Sequence, residues 1–407
     1  MKKKTPGARF IAVTAGAVCG LVAMGWCAPA VAHEGSHGDA ATTIDGRLRD
    51  AKQMDARTAL LQRAEAELAR GDAAAATETF ERAAMMLHAP DTEMGLVRSY
   101  MQAGHYRRAL AFCAHTAGVH REAPAAGALY AWLLRAGGQN AFAQRTLNDT
   151  LQRAPQDAVA LQTRLAFAAA LPVASTPLLQ TPHRMAPQAV MLGGQPDVAP
   201  GAHTVASGVL IGNGTLALVP KAALGTSPPA RLWVRNGLGQ TTRAHLQTQA
   251  GPLDAPGVAV LRLEAPLDPA PTASELAPRE PFAGSPGFAI QYATDASAVP
   301  AWPWLSQGFF GAMPAQPDKP RPLGIEVAAG AYGGPVFDSQ GRLAGMALPG
   351  PQGEDLLLSA ARWQSLAGAP PNTPLQDDVA SRPRGTVATD EIYESALRLA
   401  LQVIVSP

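Results

Sequence analysis

The chain has 407 residues, of which 47% are hydrophobic and only 5% aromatic, and its formal net charge is +1. A chain of this size and hydrophobic content predicts two or three domains with cores of their own. The nearly balanced charge argues against nucleic acid as the main partner, because phosphate binding needs clustered cations.

The first 32 residues have the order of a secretory signal peptide. Lys2, Lys3 and Lys4 precede an apolar run over residues 10–24, and Ala30-Val31-Ala32 supplies small residues for cleavage. The run is too short to favour a retained membrane helix. We therefore predict a signal peptide at 1–32 and a periplasmic or secreted protein with no stable membrane anchor.

Cleavage after Ala32 would change the charge and the cysteine content. It removes four cations and no acid, so the net charge falls from +1 to about −3. Of the three cysteines only Cys113 would remain, which excludes an intramolecular disulfide.

Residues 33–49 are predicted to form a disordered N-terminal tail. His33 and His37 lie close to two acids and are the candidate ligands for a divalent metal such as copper. The alternative is a solvated tail, and we adopt it because no third imidazole or thiolate follows nearby. No metal and no other cofactor is therefore predicted.

A repeated pattern follows over residues 50–170. Gly71, Gly104 and Gly138 are 33 and 34 residues apart, and small or apolar residues stand five, nine and twelve positions after each glycine. These positions share one face of a helix. The period resembles that of the tetratricopeptide repeat, a helix–turn–helix unit whose glycine makes the turn. The resemblance implies an array of paired helices.

Such arrays bind extended peptides or partner proteins on a concave surface. We therefore expect a protein or peptide partner, and the alternative is that the array only positions the next domain. The candidate contacts are the large polar and aromatic residues of the predicted helices, namely Arg63, Arg70, Arg98, Tyr100, Arg107, Arg108 and Trp132.

Residues 171–185 are predicted to be a linker, and residues 186–368 an all-β domain. The stretch over residues 171–200 is rich in Pro, Gln, Gly and Ala and has no sustained periodicity, and its last part is assigned to the next domain. The region after it contains many short apolar runs separated by Gly, Pro and Asn, which is typical of a barrel or sandwich.

Three segments of this domain resemble trypsin/chymotrypsin-like serine peptidases. The Gly330–Pro335 loop resembles the loop of the nucleophile, Ala206–Gly212 the strand that precedes the catalytic histidine, and Gly257–Leu263 the segment of the catalytic aspartate. The resemblance implies a double β-barrel. The predicted fold class is thus multidomain, with N-terminal helical repeats and a C-terminal trypsin-like double β-barrel.

The resemblance places different residues at all three triad positions. Tyr332 stands where the serine belongs, Lys221 where the histidine belongs and Gly257 where the aspartate belongs. The mechanism needs a hydroxyl nucleophile, an imidazole base and a carboxylate. No catalytic residue is therefore predicted, although the backbone N–H groups of Gly330 and Tyr332 would keep the frame of an oxyanion hole. We expect the Tyr332 phenol to project toward Lys221.

Residues 369–407 are predicted to form a tail that ends in a helix. Thr389 is a candidate N-cap, followed by acids in the first turn. The helix is predicted to dock through an apolar face made by Ile392, Tyr393, Ala396, Leu397, Ala400, Leu401 and Ile404.

These features predict an exported, non-enzymatic protein-binding or scaffold protein. Two alternatives stay open. The first is a divergent periplasmic serine-type peptidase that uses other residues, and the second is a metal-handling accessory protein that acts through His33 and His37.

Overall fold

The computed structural model describes residues 40–169, 176–194, 197–225, 229–247, 253, 257–267, 276–314, 316, 319–363 and 385–406. The signal-peptide prediction, His33 and His37 lie outside these residues. The described residues from Ala51 onward belong to one compact unit. No helix among the described residues is long and apolar enough to cross a membrane.

The first half of the described chain is helical, as the repeat pattern predicts. The first helix begins at Ala40, so residues 40–49, predicted to belong to a disordered tail, are helical instead. The helices are α1 (Ala40–Ala69), α2 (Ala73–Met86), α3 (Pro90–Gln102), α4 (Tyr106–Val119), α5 (Pro124–Ala136), α6 (Asn140–Arg153) and α7 (Ala158–Ala169).

The turn glycines and the small residues fill the roles that their spacing predicts. Gly71, Gly104 and Gly138 have φ of +83°, +79° and +81°, a region that favours glycine. The helices approach closely where residues are small: a Cβ at Gly95 of α3 would lie 2.4 Å from the Phe80 ring. Cys113 is fully buried, and its burial raises the pKa of its thiol, so it behaves as a core residue.

The segment after α7 is part of the core instead of a free linker. It contains a short helix, α8 (Thr176–Leu179), and residues 176–185 were predicted to belong to the linker. Leu178 and Met185 are almost completely buried, and Gln188 exchanges two hydrogen bonds with Gln102 of α3, at 2.9 and 3.1 Å. The segment therefore covers the face of the array that the odd-numbered helices form.

The first β-barrel has six strands, and its last strand comes from the end of the chain. The barrel order is β5-β4-β13-β2-β3-β6, closed by pairing of β5 with β6, and β1 adds to β5 in parallel. The strands are β1 (Val190–Met191), β2 (His203–Ile211), β3 (Leu216–Pro220), β4 (Arg231–Asn236), β5 (Gln240–Leu246), β6 (Val258–Leu263) and β13 (Ala400–Ser406).

The second barrel is also closed and six-stranded, with the order β10-β11-β12-β9-β8-β7. Helical repeats followed by a trypsin-like double β-barrel are the fold class that the sequence predicts. The strands are β7 (Pro286–Gln291), β8 (Trp304–Phe310), β9 (Arg321–Gly324), β10 (Pro335–Asp338), β11 (Leu343–Pro349) and β12 (Asp355–Ser359).

The C-terminal segment differs from the predicted tail. Helix α9 (Thr389–Leu399) ends one residue before β13, so Ala400, Leu401 and Ile404 lie on a strand and not on a helix face. All seven residues of β13 are buried, because the strand pairs with β2 on one side and with β4 on the other. Its Val-Ile-Val run favours an extended, packed strand.

The helical array and the barrels meet along the turns of the repeats. A Cβ at Gly71, Gly104 or Gly138 would contact Val190, Arg398 or Leu305 at 2.9, 2.8 or 2.7 Å. Aromatic pairs reinforce the contact, with ring centroids 4.5 Å apart for Tyr106–Tyr393 and 5.2 Å apart for Trp132–Trp304.

Candidate functional site: the peptidase-like loop between the barrels

The glycine loop lies where the two barrels meet. A Cβ at Gly333, whose φ is +103°, would lie 2.1 Å from the carbonyl oxygen of Ser207 in the first barrel. A Cβ at Gly334 would lie 1.9 Å from the carbonyl oxygen of Ile290 in the second barrel. Both positions therefore exclude any side chain. The Ser207 N–H donates to the Tyr332 carbonyl oxygen at 2.9 Å, which fastens the loop to β2.

The Tyr332 side chain turns into the second barrel. Its hydroxyl donates a hydrogen bond to Asp355 Oδ1, at the start of β12, at 3.0 Å. Its ring packs against the core that contains Ala331 and Val336. Burial, followed by the hydrogen bond to the Asp355 carboxylate, raises the pKa of the phenol. The hydroxyl is therefore protonated and already bonded.

The predicted contact between the Tyr332 phenol and Lys221 is wrong. Asp355 offers the hydroxyl a charged acceptor beside an apolar surface that takes the ring, whereas the Lys221 side chain is exposed. Sequence reasoning missed Asp355 because it lies 23 residues after Tyr332, on a strand that carries no motif.

The structure brings the Lys221 and Gly257 positions together, next to the loop. The Lys221 N–H donates to the Gly257 carbonyl oxygen at 2.8 Å, and Pro220 pairs with Val258 between β3 and β6. A Cβ at Gly333 would lie 2.5 Å from Pro220 Cδ. The segments that resemble the three triad positions therefore converge. Gly257 has φ +76°, so an aspartate there would adopt a strained backbone.

The two backbone N–H groups of the predicted oxyanion hole make no hydrogen bond within the described part of the chain. Neither Gly330 N–H nor Tyr332 N–H donates to a protein acceptor within the described residues, whereas Ala331 N–H donates to Ala328 O at 2.9 Å. Unpaired N–H groups in a turn bind anions and carbonyl oxygens. The oxyanion-hole role of this pair stays a prediction.

Three of the predicted partner contacts are buried, so that prediction is wrong for them. Trp132 is 1% exposed, Arg98 4% and Tyr100 5%. Arg98 donates two hydrogen bonds to Glu65, and the Tyr100 ring lies 4.0 Å from the Arg108 guanidinium. The odd-numbered helices pack on both sides, which leaves these large side chains inside.

The remaining candidate contacts are exposed or used within the chain. Arg107 forms ion pairs with Glu394 and Glu391 of α9 at 3.1 and 3.4 Å, so it joins the array to the C-terminal segment. Arg63 pairs with Glu67 at 2.7 Å but keeps 63% of its side chain exposed. Arg70 is exposed. A contact role for Arg63 and Arg70 stays a prediction.

Sequence reasoning also missed a cluster in the array. His88, Glu93 and His120 come together there. The available signal was position within the repeat: the two histidines follow their turn glycines by 17 and 16 residues.

Among the solved structures to which the chain is similar is the MamO protease domain from Magnetospirillum magneticum, in its apo form. The identity is 18%, the match covers 41% of this chain and 95% of that chain, and the TM-score is 0.28. Deg5 is 13% identical over 39% of this chain and 84% of that chain, with a TM-score of 0.27. No family model and no curated protein matches the sequence.

Proposed function

We propose that this chain is an exported, non-enzymatic protein-binding protein with a peptidase-like frame. The hydrogen bond from the Tyr332 hydroxyl to Asp355 carries the proposal. It holds the residue at the nucleophile position in its protonated form, with the hydroxyl already bonded to a carboxylate. Lys221 supplies no imidazole base, and Gly257 has no carboxylate to orient one.

The partner is a protein or peptide that binds an exposed apolar patch at one end of the second barrel. Phe282 and Phe309 are 72% and 58% exposed. Their backbones are brought near each other by Ser285, whose N–H donates to Phe282 O and whose carbonyl oxygen accepts from the N–H of Phe310. Exposed apolar clusters of this kind mark interaction sites. The tetratricopeptide-like array then positions the barrels, because its odd-helix face is covered by residues 176–188.

Export rests on the sequence of residues 1–32. N-terminal sequencing of the protein from a periplasmic fraction should begin at His33. A mature protein that begins near Met1 would contradict this part of the proposal.

Inactivity is tested with fluorophosphonate probes and with casein and peptide ester substrates. We expect no labelling and no turnover by the wild-type chain or by Tyr332→Ser, since neither has a base. Probe labelling of the wild type that disappears when one serine or cysteine is mutated would overturn inactivity.

Binding is tested by cross-linking and pull-down from periplasmic extract. The double variant Phe282→Ser/Phe309→Ser should lose the captured partner. Met85→Ser is the matched control, because Met85 is 81% exposed but lies on α2. Equal capture by all three proteins would contradict the barrel patch as the binding surface.

A divergent peptidase is the second candidate, because the Gly330 and Tyr332 N–H groups have no acceptor within the described residues. A peptide aldehyde or boronate that binds at this loop, together with probe labelling elsewhere in the cleft, would favour it. Binding without labelling would favour a peptide-holding frame.

A further inference from the structure

Three potential metal ligands converge between two neighbouring repeats of the array. One ligand atom each from His88, Glu93 and His120 lies within 4.8 Å of the other two. His88 lies between α2 and α3, Glu93 in the first turn of α3, and His120 directly after α4. His88 and His120 occupy nearly the same place in consecutive repeats, so stacking of the repeats brings them together.

The buried atoms of this cluster are left without hydrogen bonds. Glu93 is 3% exposed and His120 is 7% exposed. Within the described residues, neither Glu93 Oε2 nor His120 Nε2 has a hydrogen-bond partner, and the two atoms face each other at 3.6 Å. A buried carboxylate oxygen and a buried imidazole nitrogen without hydrogen-bond partners lower the stability of the folded chain. One cation between them would satisfy both.

A second carboxylate orients the His120 ring. His120 Nδ1 lies 3.2 Å from Glu122 Oε1, so this carboxylate holds one ring nitrogen and the other, Nε2, faces Glu93. A carboxylate behind a ligating imidazole is the usual support of a metal-bound histidine.

The third ligand lies at the surface and gives access to the site. His88 Nε2 is 2.5 Å from Glu93 Oε1, and 57% of the His88 side chain is exposed. An ion bound at about 2.0–2.2 Å needs ligand atoms about 3.3 Å apart, so a small outward swing of the His88 ring makes room for it. The rings of His88 and His120 already lie side by side, with centroids 4.8 Å apart.

We propose that His88, Glu93 and His120 bind a divalent transition-metal ion of the zinc class. Two imidazole nitrogens and one carboxylate oxygen are ligands that suit zinc. They leave the fourth coordination position of a tetrahedral ion open to solvent. The ion joins the α2–α3 connection to the end of α4. It therefore clamps two repeats together and stabilises the array by binding the folded chain only. The site is separate from the barrel cleft and does not depend on the proposed function.

The test is calorimetric titration of the purified, chelator-treated full chain with ZnCl₂, with thermal melts in parallel. The background carries His33→Ala and His37→Ala, so that the N-terminal histidines do not contribute. We expect binding of about one equivalent and a rise in melting temperature. Cobalt(II) should give the visible absorption bands of a four-coordinate N/O site.

Single variants separate the ligands from neighbouring histidines. His88→Ala and Glu93→Gln should each lower the zinc affinity by more than about 10-fold, and Glu122→Gln by about 10-fold. His105→Ala is the matched control, because His105 is an exposed histidine in the α3–α4 turn and should bind as tightly as the unmutated site.

Two results would overturn the proposal. One is the absence of stoichiometric zinc binding and of a cobalt spectrum, and the other is equal affinity of the His88→Ala and His105→Ala variants. His88 is largely exposed, so its variant keeps the test valid even if Glu93→Gln fails to fold.

Discussion

At the scale of single residues, the backbone of the Gly330–Pro335 loop and the side chain of Tyr332 are held by different contacts. The backbone of the loop depends on Gly333 and Gly334, which the two barrels enclose, and not on the side chain of Tyr332. The two glycines do not hold the Tyr332 side chain. Its direction is set by the hydrogen bond to Asp355 and by the apolar core that contains Ala331 and Val336. The backbone and the side chain of one loop are thus controlled by different neighbours.

Removal of the Tyr332 hydroxyl should therefore lower the stability of the fold. Tyr332→Phe leaves the half-buried Asp355 carboxylate without its phenol donor and should lower the free energy of unfolding by about 1–2 kcal/mol. Urea titration followed by circular dichroism measures the change. Tyr130→Phe is the control, because Tyr130 is also half-buried and its hydroxyl makes no hydrogen bond to a described residue. Equal effects of the two changes would show that the Asp355 bond contributes nothing.

At the scale of elements, the repeat turns serve two purposes. Their glycines reverse the chain, and the same glycines let the barrels approach without a side chain between them. A substitution at Gly104 therefore creates backbone strain and also displaces Arg398, which donates to Ala103 O at 3.1 Å.

Gly104→Ala should destabilise the chain by about 1–3 kcal/mol, since φ is +79° and the new Cβ would lie 2.8 Å from Arg398 Nη1. Gly118→Ala is the matched control: Gly118 is an exposed helical position with nothing within 4 Å of a Cβ, so the change should stabilise by about 0.5–1 kcal/mol. Thermal melts compare the two. A destabilised Gly118→Ala with an unaffected Gly104→Ala would contradict this account of the turns.

The sequence predicts those elements whose pattern is local. The period of the glycines predicts the helical array, and three short motifs predict the double barrel. The strand at Ala400–Ser406 is not predictable in this way, because Ala400, Leu401 and Ile404 continue the helical spacing of α9 until long-range pairing with β2 and β4 decides the conformation. The Tyr332–Asp355 bond and the His88–His120 cluster likewise depend on residues far apart in sequence.

At the scale of the whole molecule, the tyrosines make the fold sensitive to alkali. Burial raises the pKa of Tyr106, Tyr292 and Tyr393 above the ordinary value of 10, and these phenols lie in or beside the contact between array and barrels. The folded chain keeps protons that the unfolded chain releases. Their contribution to stability is therefore complete below pH 10 and is lost as the pH rises above it.

Melting temperatures should thus fall steeply above about pH 10, with ionisation of these phenols following unfolding. Absorbance at 295 nm and near-ultraviolet circular dichroism, recorded on one sample, measure both events. Early ionisation of all six tyrosines in a chain that is still folded would contradict the prediction.

Loss of β13 should open the first barrel. A chain that ends at Leu399 exposes the edges of β2 and β4 to solvent and should be insoluble or lack a cooperative melt. A chain that ends at Ser406 is the control and should melt like the full chain. A synthetic peptide of residues 400–406 should restore part of the signal when added to the shorter chain during refolding. A shortened chain with an unchanged melt would show that β13 is dispensable.

The position of β13 also fixes an order of events during folding. Because synthesis runs from the N-terminus, the helical array and the second barrel are complete in sequence before the strand that closes the first barrel emerges. Until then β2 and β4 have no neighbour between them, and the peptidase-like loop has no finished wall on that side. The first barrel to begin is thus the last to close, which leaves the chain incompletely folded until its last strand has been made.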